Sequence, residues 1–74
     1  MPTVKDFGAF RISLFFEDHN PPHVHVIGTD FHALVAIANA KVIRGSIPSR
    51  HARRALRWIG ENREALMSYW DECR

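Results

Sequence analysis

The chain has 74 residues, 46% hydrophobic and 24% charged, with a formal net charge of +2. That length allows one small domain, residues 1–74, and excludes doubly wound nucleotide folds, barrels and multidomain enzymes, while the apolar content excludes intrinsic disorder. The single cysteine, Cys73, excludes an intramolecular disulfide, and a small core without staples favours a partner chain or a homo-oligomer. There is no apolar run of about 18 residues and no basic-then-apolar leader, which predicts a cytoplasmic protein with no membrane segment.

The first forty-five residues read as strands. Phe10, Ile12, Leu14 and Phe16 alternate with Arg11, Ser13 and Phe15, the period of a strand with one buried face. Asn20-Pro21-Pro22 ends that strand, because consecutive prolines cannot donate to a ladder. Val24 and Val26 alternate with His23, His25 and Ile27, and Gly28-Thr29 predicts a two-residue hairpin turn. Phe31, Ala33, Val35 and Ile37 form the return strand. Asn39-Ala40 is a second turn, and Lys41 to Arg44 is a short fourth strand. Connections this short join only antiparallel neighbours.

The remainder reads as one long helix. Pro48 suits its first turn, Ser46 or Ser49 suits its cap, and a helical period runs from Arg50. Ala52, Leu56, Ile59, Leu66, Met67 and Trp70 fall on one side, with Trp58, Ala65 and Tyr69 as an aromatic flank. Arg63 is the misfit within the apolar stripe, expected to snorkel to a sheet edge or to pair with Glu17 or Asp18. The fold class is therefore α+β, an antiparallel four-stranded β-meander packed on one long C-terminal α-helix.

Charge is unevenly placed. Residues 1–37 carry two bases against four acids, and residues 38–74 carry eight against four. From Arg44 to Arg57 there are five arginines and no acid. Arg50, Arg53, Arg54 and Arg57 share the side opposite the apolar stripe. They sit at the helix start, where the dipole favours acids. An anion such as a phosphate backbone or an acidic partner strand would reverse that penalty; a solvated helix face is the plainer reading.

Three of the five histidines lie in the seven-residue run His19-Asn20-Pro21-Pro22-His23-Val24-His25. His23 and His25, two apart on a strand, project from one face. The Pro-Pro turn would fold His19 beside them, and the expected hairpin would set His32 opposite His25. Three readings stay open. The histidines form a semi-polar sheet face; or they act as general base and acid on a phosphodiester, with the arginines holding its charge; or they bind zinc or another divalent metal.

Met1-Pro2-Thr3, the strand ending Phe15-Phe16-Glu17-Asp18, the His-Asn-Pro-Pro-His-Val-His run and the helix ending near Tyr69-Trp70 together resemble a bacterial family, domain of unknown function 4160. The resemblance covers essentially the whole chain. His19, Asn20, Pro21, Pro22, His23 and His25 match its signature, while His32 and the arginine run are features of this sequence. The family resemblance implies a small prokaryotic protein, often encoded beside another short protein in arrangements that look like toxin–antitoxin pairs, with no established reaction.

The expected function is a toxin-like component of such a pair that meets nucleic acid, with RNA favoured, and that has a cognate small antitoxin-like protein as partner. If it is an enzyme, it is a metal-independent ribonuclease without cofactor, with His23 and His25 as acid–base residues, His19 shaping their turn and Arg50, Arg53, Arg54 and Arg57 holding the backbone. The alternative is a non-catalytic module that binds a protein partner, or a metal through His19, His23 and His25.

Overall fold

The computed structural model describes residues 3–15 and 21–73. Five strands, β1 (Thr3–Asp6), β2 (Phe10–Ser13), β3 (His23–Gly28), β4 (His32–Ala36) and β5 (Val42–Gly45), precede two helices, α1 (Ser49–Glu61) and α2 (Arg63–Cys73). The strands form one antiparallel sheet in the order β1-β2-β3-β4-β5. The α+β meander is thus as expected, with one more strand and one more helix.

The extra strand, β1, has a single half-buried apolar residue, Val4, between exposed neighbours. An edge strand that buries so little leaves no alternation to read. It reaches β2 through a tight turn in which Asp6 Oδ1 accepts the Gly8 N–H at 2.7 Å and the Phe7 N–H donates to the Phe10 carbonyl at 2.9 Å. Gly8 takes φ +90° there, in the region that favours glycine.

The single expected helix is broken at Asn62. Its side-chain amide donates to the Trp58 carbonyl at 2.8 Å, and its backbone N–H reaches the same carbonyl at 3.0 Å. Gly60 and Asn62 are both poor helix formers, so the site is weak before any contact is made. The break removes the difficulty with Arg63, which opens α2 and is exposed; Glu17 and Asp18 lie outside the described residues. At the other end Pro48 occupies the N-cap and makes no side-chain cap bond, so neither Ser46 nor Ser49 caps α1.

The core lies on one face of the sheet. Phe10, Ile12 and Leu14, Val24 and Val26, and Val35 and Ile37 meet Ala55 and Ile59 of α1 and Leu66 and Trp70 of α2. Each buried Val, Leu, Ile or Phe side chain contributes roughly 1.5–3 kcal/mol. Leu56 and Met67 are half-buried at its margin, and Ala55 does more of the packing than the helical period suggested. The aromatic flank divides: Trp58 packs against the core, whereas Ala65 and Tyr69 are exposed.

The β3–β4 hairpin turns at Thr29-Asp30 rather than Gly28-Thr29. Ile27 pairs with His32, and the Gly28 N–H donates to the Phe31 carbonyl at 2.9 Å. Gly28 keeps an ordinary negative φ; it is needed because a Cβ there would collide with the Phe31 ring. The register therefore slips by two residues from the one expected. A slip of two leaves every side chain on its face, whereas a slip of one would have reversed them all. The second turn ends on Ala40 at φ +55°, and β5 follows one residue later than expected.

Candidate functional site

The arginines occupy the outer surface of α1. Arg50, Arg53, Arg54 and Arg57 are all exposed, as the helical period required once Ala55 and Ile59 face the core. The first turn of α1 contains no acid. Glu61 is the first acid along the helix, and it accepts from Arg57 Nε at 3.2 Å, an exposed pair one turn apart. Exposed pairs of this kind contribute little to stability.

A lysine that sequence reasoning passed over joins this surface. Lys5 of β1 and Arg54 of α1 both stand over the Phe7 ring, at 5.5 Å and 5.7 Å from its centroid. Phe7 itself stacks on Phe10 at 4.7 Å and meets the edge of Trp58 at 6.3 Å. The basic surface thus spans the sheet edge and the helix. The signal for it was β1, whose pairing carries Lys5 beside residues nearly fifty positions away.

The histidines occupy the other face of the sheet. Adjacent strand residues point to opposite faces, so Val24 and Val26 enter the core while His23 and His25 turn away from it. His25 pairs across the ladder with Ser13 on one side and Leu34 on the other. His32 lies on the same face, and His25 Nδ1 stands 2.9 Å from His32 Nε2. Their ring centroids are 5.1 Å apart, and the Phe15 ring meets His25 edge-on at 4.2 Å.

His23 differs from its neighbours. It is 6% exposed, its Nδ1–H donates to the Pro21 carbonyl at 2.8 Å, and its ring lies 5.3 Å from Trp70. A carbonyl only accepts, so the bond fixes the proton on Nδ1. Its ring centroid is 5.2 Å from that of His25. Ser13 Oγ and Trp70 Nε1 nearby are fully buried and have no hydrogen-bond partner among the described residues. His19, expected to fold beside this group, lies outside the described residues. Among the described residues no three His, Cys, Asp or Glu side chains converge for a metal.

The sheet stands between the two sets. The helices cover its apolar face and turn the arginines outward, while His25 and His32 lie on the opposite face and His23 packs against Trp70 of α2. The expected arrangement had the arginines hold a phosphodiester on which His23 and His25 act as acid and base; His25 lies on the sheet face turned from the core, with the sheet between it and the helix that carries the arginines. Among the described residues the imidazoles brought into hydrogen-bond distance are His25 and His32, while His23 is buried against Trp70. A hollow of about 160 Å³ near the β1–β2 turn, lined by Asp6, Gly8, Arg11 and Thr29 among others, holds none of the candidate residues.

No helix of the described residues is long and apolar enough to cross a membrane. Comparison with curated proteins gives no match, and comparison with solved structures gives none. One family model, described as domain of unknown function (DUF4160), matches residues 9–71, which include both the histidine run and the arginine helix. The chain belongs to the domain of unknown function 4160 family.

Proposed function

We propose that the protein is a nucleic-acid-binding module, RNA favoured, that grips the phosphate backbone through the outer face of α1, and that it serves in the cytoplasm as the toxin-like component of a toxin–antitoxin pair. The observation that carries the reading is the charge order of α1. Four exposed arginines occupy its first three turns, with no acid before Glu61. The helix dipole disfavours this order by about 0.3–1 kcal/mol per charge at the end itself, falling off within the first turn. A bound polyanion would reverse the sign for both the dipole and the arginines. Lys5 extends the same surface across the sheet edge.

The test is binding of fluorescent single-stranded RNA by anisotropy, with the parent and with Arg50, Arg53, Arg54 and Arg57 all changed to Gln. The expected result is loss of affinity in a variant that folds as the parent does. Growth arrest on expression of the chain alone, relieved by a co-expressed small protein encoded beside it, supports the toxin-like role; unimpeded growth argues against it. Cleavage of RNA in chelator by the parent, lost in His25→Ala, would instead establish a metal-independent ribonuclease. A protein partner is the second reading, favoured by Tyr69, which stands half exposed on α2; such a complex would be insensitive to salt.

A further inference from the structure

We propose that His25 and His32 form a two-imidazole site for a late first-row divalent metal, with Cu²⁺ bound in preference to Ni²⁺ or Zn²⁺. The proposal is independent of nucleic-acid binding by α1.

The argument starts from the ring nitrogens. His25 Nδ1 and His32 Nε2 are 2.9 Å apart and directed at each other across the β3–β4 ladder. Two sp² nitrogens so placed share a single proton or a single metal ion. Imidazole nitrogens that bind one metal at about 2.0–2.1 Å stand roughly 2.8–3.0 Å apart at the right angles of a tetragonal Cu²⁺ site. The separation of 2.9 Å already fits that geometry, and turning the rings so that both lone pairs converge on one point converts the hydrogen bond into a chelate. On binding, the ring that had donated moves its proton to its other nitrogen, so a neutral pair takes up the ion without a change in proton count.

The pair is held ready for this. Both histidines sit on paired strands, and the edge of Phe15 at 4.2 Å limits rotation of the His25 ring. His32 is exposed, so the remaining coordination positions open to water. Neutral imidazole selects copper, nickel and zinc, and the usual order of stability places Cu²⁺ first. Magnesium and calcium, which need oxygen ligands, are excluded.

The experiment uses the full chain without any histidine tag, stripped with chelator and dialysed. Calorimetric titration with CuCl₂, NiCl₂, ZnCl₂ and MgCl₂ in turn is expected to give one Cu²⁺ per chain, weaker Ni²⁺ and Zn²⁺, and no Mg²⁺. His25→Ala and His32→Ala should each weaken Cu²⁺ at least tenfold while circular dichroism reports an unchanged fold. His51→Gln, on α1, should bind as the parent does. Equal Cu²⁺ affinity in the parent and in His32→Ala would overturn the proposal, as would Mg²⁺ binding at the same stoichiometry. Should His25→Ala unfold, the exposed His32 decides the matter alone.

Discussion

The two faces of this small sheet are built by different rules. On the helix side, four arginines share one surface because they lie three and four residues apart on α1, and every one is exposed. On the other side, His25 and His32 share a surface because two strands pair, and their neighbour His23 is 6% exposed. The first face can be altered without disturbing the core; the second is tied to it through His23, which lies against Trp70. Surface charge and cross-strand geometry therefore call for different tests.

The largest effect should come from the element that joins the two faces. Trp70 packs in the core and also lies against His23, so Trp70→Ala should cost about 3–5 kcal/mol. Leu56→Ala, truncating a residue only half-buried at the margin, should cost clearly less. Thermal denaturation of both variants checks the order, and equal losses would mean that α2 does not anchor through Trp70.

Next in size is the hairpin frame of the histidine face. Gly45 at φ +76° ends β5, and a Cβ there would run into the His32 carbonyl oxygen. Gly45→Ala should cost more than about 1 kcal/mol, measurable by urea denaturation, and should disturb the His25–His32 contact. Unchanged stability would argue against the β4–β5 register described.

The histidines themselves should separate. His23→Ala removes a buried hydrogen-bonded ring and should cost about 1–3 kcal/mol, whereas His32→Ala, at an exposed position, should stay within about 0.5 kcal/mol. Comparable melting temperatures for the two would contradict the division between inward and outward imidazoles.

The smallest effect has the opposite sign. Arg50 lies in the first turn of α1, so Arg50→Glu should stabilise the protein by about 0.3–1 kcal/mol through the helix dipole. The same change should weaken RNA binding. A variant that gains stability and keeps its affinity would remove Arg50 from the contact surface.

What the sequence made legible follows from the range of the signals. The strand period of Phe10 to Leu14 and of Val24 to Val26 identified the buried face, and the helical period set the arginines outward; both are local. The shared face of His25 and His32 was legible although the turn was misplaced, because a slip of two residues preserves parity. β1 was not legible, since Val4 alone marks its buried side. The break at Asn62 was not, because an apolar stripe running past it gave the appearance of continuity. The opposition of arginines and histidines was hidden as well: it depends on which face of the sheet the helix covers, and that is settled only when Ala55 and Ile59 meet Val24 and Val26.

We propose that the outer face of α1 binds nucleic acid through phosphate contacts. The most direct measurement is the slope of log affinity against log salt for single-stranded RNA, in the parent and in the Arg50, Arg53, Arg54, Arg57→Gln variant. Four lost phosphate contacts should flatten the slope by about 3 and remove most of the affinity at low salt. Parallel slopes with equal affinities would contradict the account.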